Sequence, residues 1–200
     1  MSEVAAIILA AGKASRFRAA AGESGPATKL IALLDGKPLV RHAAEAALAS
    51  RATPVVVVTG HAREEVVAAL AGLLVSFVHN PDFATGLASS LRAGVGALPA
   101  DAAGALVLLG DMPRVSAAVI DALIAAREGA PGAKAIVPVL AGKRGNPALV
   151  TRALFPAVAV LEGDVGARAL LAAAGLDVAE VAMEDTAIAF DVDTPDALAR

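Results

Sequence analysis

Cysteine is absent from the 200 residues, and so are tryptophan and tyrosine. The first absence removes disulfides, thiolate nucleophiles and thiolate metal sites. The second, with only five Phe, leaves little on which the bases of a nucleic-acid strand could stack. A basic excess is lacking too. Lys and Arg number 17 against 20 Asp and Glu, a net charge of −3, so no field draws the chain onto nucleic acid. Nor is there a long apolar run, although 57% of the residues are apolar and mean hydropathy is +0.68. The longest weakly polar stretch, residues 66–78, is broken by Gly72 and Ser76. It falls short of the ~20 residues of a spanning helix and reads as helix, turn and strand. The N-terminal apolar run follows Glu3 rather than a basic segment, which predicts a first core strand, not a signal peptide. No membrane partner and a cytoplasmic location are the expectation.

What is present is an alternation. Apolar runs of strand length occupy residues 4–10, 54–59, 75–79, 105–110, 135–140 and 187–192. Continuous runs of this kind predict strands buried on both faces, as in a parallel sheet. Alanine-rich helical patterns lie between them. Leu39, Ala43, Ala46 and Ala47 form one stripe after Pro38, and Ile120, Leu123 and Ile124 form another after Ser116, a residue suited to cap a helix. Residues 163–175 read as a further helix with Gly175 as its stop. The order predicts an α/β layered sheet. No repeat or linker divides residues 1–200, so a single domain is expected.

In open α/β sheets, ligands gather at the carboxyl ends of the strands. After the first run come Leu9, Ala10, Ala11 and Gly12, then Lys13 and Arg16. Small residues let the backbone approach a ligand, and N–H groups in such a turn hold phosphate oxygens. Arg16 adds a guanidinium fork suited to phosphate, and Lys29 adds a second charge. The turn is not a Walker loop, because Ala14 follows Gly12-Lys13, and it lacks the three glycines of the dinucleotide fingerprint. Taken alone it is equally a strand-to-loop turn with solvated cations. After the fourth run, Gly110-Asp111-Met112-Pro113 puts a carboxylate where Mg²⁺ is held by one or two carboxylates plus substrate phosphates; an Asp in a turn before proline is the plain alternative. Asp191-Val192-Asp193-Thr194-Pro195 repeats the theme, with Asp193 either a ligand or a helix cap. In the segment from Asn80 to Leu91, Ser89 and Ser90 are either caps or hydroxyls facing a base edge. Gly145-Asn146-Pro147 is a turn with a polar amide. His42, His61 and His79 read as structural or solvated.

Taken in order, these segments resemble the molybdopterin nucleotidyltransferase family, within the wider group of nucleotide-diphospho-sugar-like transferases. The likeness runs nearly the whole chain. It includes Lys29-Leu30, Asp35-Gly36-Lys37-Pro38-Leu39-Val40, Thr59-Gly60-His61 and Gly163-Asp164-Val165-Gly166-Ala167-Arg168, and is greatest to molybdenum cofactor cytidylyltransferases. The resemblance implies an α/β/α three-layer fold with a mostly parallel, Rossmann-like sheet. It also implies transfer of CMP from CTP to the terminal phosphate of molybdopterin, with release of pyrophosphate and Mg²⁺ as cofactor. By position, Leu9, Ala10, Ala11, Gly12 and Gly110 would hold the nucleotide. Arg16 and Lys29 would neutralise the triphosphate, and Ser90 would contact the base. Asp111, with Asp193 as a second ligand, would hold the metal, making Arg16, Lys29 and Asp111 the catalytic set. Gly145 and Asn146 would face the acceptor.

Leu-Ala-Ala-Gly, rather than Leu-Ala-Gly-Gly, favours CTP over GTP, because the Ala11 methyl narrows the pocket, an effect of modest size. Residues 18–28 are a longer insertion than the family's usual spacing. They read as a lid that orders on nucleotide binding, or as a shift that makes Lys13 or Arg18 the phosphate cation in place of Arg16. The acceptor phosphate, with its second pKa near about 6, is already largely ionised, so no strong general base is required. Three alternatives stay open: GTP as donor, a sugar or alditol phosphate as acceptor, or a non-catalytic nucleotide-binding factor whose partner is a molybdoenzyme or its chaperone.

Overall fold

The computed structural model describes residues 3–21, 25–164, 166–172 and 177–199. In chain order the regular elements are β1 (Val4–Ala10), α1 (Ser15–Ala21), β2 (Leu33–Leu34), β3 (Lys37–Pro38), α2 (Leu39–Leu48), β4 (Val55–Thr59), α3 (Arg63–Ala69), β5 (Ser76–His79), α4 (Leu87–Gly96), β6 (Gly104–Leu109), α5 (Ala117–Gly129), β7 (Ala135–Leu140), β8 (Lys143–Arg144), β9 (Ala148–Thr151), α6 (Phe155–Ala159), α7 (Ala167–Ala172) and β10 (Val178–Ala182). Short 3-10 turns punctuate them.

The main sheet has the order β10-β7-β9-β6-β1-β4-β5, with β8 paired to β7. β1 runs parallel to β4 and β6, β4 to β5, and β10 to β7. β9 is antiparallel to both of its neighbours. Every residue of β1 is buried because helices cover both faces. Val4, Ala6, Ile8 and Ala10 turn toward the layer holding Val40 and Ala43 of α2 and Ile120 of α5. Ile7 and Leu9 turn toward Leu91 of α4 and Leu170 of α7. The period-2 alternation of a strand thus serves two cores, which is why the sequence shows an unbroken apolar run. Fully burying each large aliphatic side chain is worth about 1.5–3 kcal/mol, so the centre of the sheet is its most secure part.

Local signals work as their chemistry demands. Ser116 caps α5 by accepting from the Val119 N–H. Pro38, at φ −55°, leads directly into α2. Residues 66–78 do form the end of a helix, a turn and a strand. Two expectations need correction. Residues 187–192 form no strand: residues 186–189 are a 3-10 turn that buries Ala187 and Ile188. The Val192 N–H donates to the Asp111 carbonyl as a single cross-link. An apolar run signals burial but not a ladder, and here the burial is achieved by a loop. The helix expected over 163–175 is confined to α7 within the described residues; its expected stop, Gly175, lies outside them, as do residues 22–24 of the insertion. The remainder of that insertion continues α1 through residue 21 and resumes at residue 25.

α4 approaches β1 through a glycine. A Cβ built on Gly94 would lie 2.5 Å from Ile7 Cγ2 and 3.1 Å from Val58 Cγ2. In an exposed helix, Gly→Ala gains about 1 kcal/mol, whereas overpacking a buried contact costs about 1–3 kcal/mol. Gly94→Ala is therefore expected to lower stability by up to about 2 kcal/mol on balance, read as a lowered thermal midpoint by circular dichroism. An unchanged or raised midpoint would show that α4 shifts freely on the sheet.

Candidate functional site

The chain leaves β1 to build β4 and β5 on one side, then returns to place β6 on the other. This reversal opens a crevice beyond the carboxyl ends of β1 and β6, the place where open α/β sheets take ligands. The β1 end continues into residues 11–14, with Ala14 in the left-handed region at φ 51°. The β4 end buttresses this turn. The His61 N–H donates to the Ala11 carbonyl at 3.1 Å, and Gly60 lets Ala11 and Phe83 close in, since a Cβ there would meet their Cβ atoms at 2.8 and 2.6 Å. A cleft of about 690 Å³ lies above.

Charge converges on one wall. Lys29 Nζ lies 2.6 Å from Asp111 Oδ2 and 2.8 Å from Asp193 Oδ1. Thr28 starts the short 3-10 turn that presents Lys29. The bond from the Val192 N–H to the Asp111 carbonyl, 3.0 Å, brings the 191–193 segment alongside. Asp111, Asp191 and Asp193 each offer a carboxylate oxygen, all within 4.8 Å of one another. Burial alone would lower the Lys29 pKa, but Asp111 and then Asp193 outweigh it and hold the ammonium charged. The Asp191 carboxyl is pushed up by partial burial and by repulsion from Asp193 and Asp111, with Lys29 opposing. An all-oxygen, anionic donor set of this kind fits a hard divalent cation such as Mg²⁺ or Mn²⁺.

The sequence-predicted residues sort as follows. Leu9, Ala11, Gly12, Lys29, Ser90, Asp111 and Asp193 all line the cleft. Ala10 is buried beneath it, and the Gly110 N–H is taken up by the Leu9 carbonyl at 3.1 Å. Arg16 belongs to α1, but its side chain is outside the described set. Of the two substitutes, Lys13 lines the cleft, with Nζ 5.8 Å from the Phe83 ring centroid, while Arg18 is exposed. Gly145 and Asn146 line a second cleft of about 670 Å³, which shares Leu9, Leu87, Leu109 and Asp191 with the first. His42 and His61 bond the carbonyls of Leu34 and Ala27, and His79 is exposed. Sequence reasoning did not single out Asp191, although its place two residues before Asp193 was a usable signal. Asp164, which also lines the first cleft, was placed by the sequence only within the 163–168 segment of the resemblance and was given no role.

Residues 6–180 match the MobA-like NTP transferase domain. The chain belongs to the MobA-like NTP transferase family. That membership carries the enzyme class, nucleotidyltransferase. The bifunctional protein GlmU of Kineococcus radiotolerans is 36% identical over 138 residues, covering 68% of this chain and 27% of GlmU; the chain thus spans about a quarter of the length of that relative. Rv0371c of Mycobacterium tuberculosis H37Rv has the same fold, with a TM-score of 0.83 and 26% identity over 98% of this chain and 95% of that one. The structure of Rv0371c in complex with manganese superposes with a TM-score of 0.79 at 24% identity, over 98% of this chain and 96% of that one.

The two clefts of this MobA-like domain meet under a junction of glycines. A Cβ on Gly86, whose φ is +119°, would lie 2.3 Å from the Gly163 carbonyl carbon and oxygen. The Ala88 N–H donates to that same carbonyl at 3.1 Å. The start of α4 is thereby held against the 163–164 segment, whose Asp164 lines the first cleft.

Crowding three carboxylates around one lysine has a measurable sign. A raised pKa means that the folded state favours protonated Asp191, so ionised Asp191 works against the fold at neutral pH. Asp191→Asn is expected to raise the thermal midpoint of the metal-free protein at pH 7. The gain should vanish as pH falls through the carboxylate range, where Asp191 is protonated in both states, and Mn²⁺ binding should weaken about tenfold on losing one carboxylate. A lowered midpoint at pH 7 would contradict the repulsion.

Proposed function

We propose that this chain transfers CMP from CTP to the terminal phosphate of a molybdopterin-type acceptor and releases pyrophosphate, with residues 1–200 acting as one nucleotidyltransferase domain and Mg²⁺ as the ion. The observation that carries the reading is the pair of adjoining clefts. One is lined by Gly12, Lys13, Lys29 and Asp111, the other by Lys143, Arg144 and Asn146 around apolar walls, and Asp191 belongs to both. In this reading the first takes the triphosphate and the second takes an anionic acceptor.

The chemical problem is one anion attacking another. Positioning and charge neutralisation lower that barrier more than proton transfer does. Lys29 is poised to turn from its carboxylate partners to the α-phosphate, and Lys13 stands over the same space. Arg16 is assigned to the triphosphate by its place in the turn after β1. Asp111 and Asp193, joined by Asp191, would hold Mg²⁺, which on binding supplies neutralisation of the phosphate charge. Ala11 is buried but belongs to the cleft lining, and in this reading its methyl favours a pyrimidine over a purine. Asn146, held by its N–H to the Ile188 carbonyl at 2.9 Å, is directed to the acceptor.

A second reading keeps the chemistry and changes the acceptor to a sugar or alditol phosphate. It is favoured by the second cleft, whose described lining holds no aromatic side chain on which a flat pterin would stack. GTP as donor, and a nucleotide-binding factor without turnover, are the remaining contrasts.

Calorimetric titration with CTP, GTP and ATP, each with Mg²⁺, is expected to show CTP bound at least about tenfold more tightly than GTP, the discrimination that a methyl-sized difference in a pocket provides. Equal or tighter GTP binding would overturn the base assignment. Incubation with labelled CTP and separate acceptors should release pyrophosphate fastest with the molybdopterin-type acceptor, and fastest release with a sugar phosphate would establish the second reading. Lys29→Ala and Asp111→Asn should each lower kcat by about 10²-fold or more, as lost transition-state charge stabilisation does. Full activity in either would remove that residue from the scheme, and CTP binding without turnover in the wild-type chain would show a binding factor.

A further inference from the structure

A buried amide beneath the nucleotide cleft dictates the direction in which a cleft hydroxyl donates. Asn80, directly after β5, is 3% exposed, and Ser89 and Ser90 in the first turn of α4 are each 4% exposed. The Asp82 N–H donates to Asn80 Oδ1 at 3.0 Å. A backbone N–H only donates, so the oxygen end of this amide is assigned by chemistry. Its other end, Nδ2, is also a donor only, and it reaches Ser89 Oγ at 2.8 Å and Ser90 Oγ at 3.0 Å. Both serines therefore accept. Ser89 sends its own hydrogen to the Gly86 carbonyl, 2.8 Å away, or to that of Asp82, 3.0 Å away. Ser90 finds no acceptor for its hydrogen among the described residues, and it lines the nucleotide cleft.

We propose that Asn80 is a positioning residue that commits the Ser90 hydroxyl to donate into the cleft, so that the ligand group seated there is a hydrogen-bond acceptor. A free serine rotates and serves donors and acceptors alike. Here a donor-only neighbour occupies one of the two lone pairs on Oγ and leaves the single hydrogen as the group still without a partner among the described residues. Cytosine offers two acceptors side by side, O2 and N3, whereas the matching edge of guanine offers the donors N1–H and N2–H. The inference rests on the nucleotide reading of this cleft and adds to it a second source of base selection, independent of the Ala11 methyl. It also gives Asn80 a reason to be buried with every hydrogen-bonding group engaged, since such networks hold a side chain in one orientation.

The test is a double-mutant cycle read by calorimetric binding of CTP with Mg²⁺ at pH 8, which favours the ionised form of an introduced carboxyl. Asn80→Asp keeps the shape and the acceptor for the Asp82 N–H, but turns the donor end into an acceptor that draws the Ser90 hydrogen away from the cleft. Asn80→Asp and Ser90→Ala should each weaken CTP about tenfold, the size of one hydrogen bond lost. The double variant should be no weaker than either alone, because both remove the same donor. Losses that multiply to about a hundredfold, or unchanged affinity in either single variant, overturn the role of Asn80.

A second comparison does not depend on the folding of Asn80→Asp. Ser89→Ala and Ser90→Ala remove equally buried acceptors of the same amide, and Ser89→Ala should lower the melting midpoint at least as much because it also loses the hydroxyl's own bond to a backbone carbonyl, but only Ser90→Ala should weaken CTP. Equal effects on CTP overturn the proposal. Failure of the wild-type chain to bind any nucleoside triphosphate sinks the nucleotide reading itself, a result distinct from intact CTP binding with the wrong coupling.

Discussion

The arrangement of this protein turns on the attraction between one part-buried ammonium and the carboxylates that surround it. Lys29 holds Asp111 and Asp193 at salt-bridge distance, and Asp191 stands within the same cluster. Three carboxylates so close repel one another strongly where water is partly excluded. A single lysine balances only part of that charge. The remaining negative potential makes the site receptive to a divalent cation, and the lysine is left able to exchange its carboxylate partners for a phosphate. Breaking one partner from such a part-buried group costs more than the pair contributes as a whole, so each member is a constraint on the others.

The backbone makes this convergence affordable by drawing on distant segments. Asp111 follows β6, Lys29 comes from the 3-10 turn after the insertion, and Asp191 and Asp193 come from near the carboxyl end of the chain. The bond from the Val192 N–H to the Asp111 carbonyl holds two of these segments in register. The sheet below is rigid because β1 is buried on both faces, and the loops above inherit that rigidity at their roots. A polar site on loops anchored to apolar strands is the usual division of labour in α/β enzymes.

The two clefts share a wall, and that sharing is what makes transfer plausible rather than binding alone. Leu9 and Leu109 lie between the spaces, and Asp191 reaches both. A nucleotide in one and an acceptor in the other would bring two anions together at the point where the cationic and carboxylate groups meet. In the nucleotide reading, the buried amide of Asn80 adds direction to the first cleft through Ser90, where orientation of a hydroxyl would select the kind of ring edge that fits.

Much of this was legible before any tertiary structure. Alternating apolar runs and alanine-rich stripes predicted the α/β sheet, because burial on both faces leaves its mark on every residue of a strand such as β1. The caps were legible for the same local reason: Ser116 needs only the N–H three residues on. Leu9, Ala11, Gly12 and Asp111 could be named because turns after buried strands lie together at one sheet edge, whereas the roles of Lys29, Ser90 and Asp193 came from the family resemblance. What the sequence could not decide was anything that depends on which strand lies beside which. β9 and β10 are short, and two of their partners, β6 for β9 and β7 for β10, are remote in the chain. Residues 187–192 look like a strand because apolar burial is all their pattern records, yet a loop buries them without a ladder. Asp191 joins the cluster only once Val192 is bonded to Asp111, and Asp164 reaches the cleft only where Gly86 lets Gly163 close in. Local chemistry is written in neighbouring residues, whereas the meeting of charges from opposite ends of the chain is set by sheet order and by close approach, and these exist only in the folded protein.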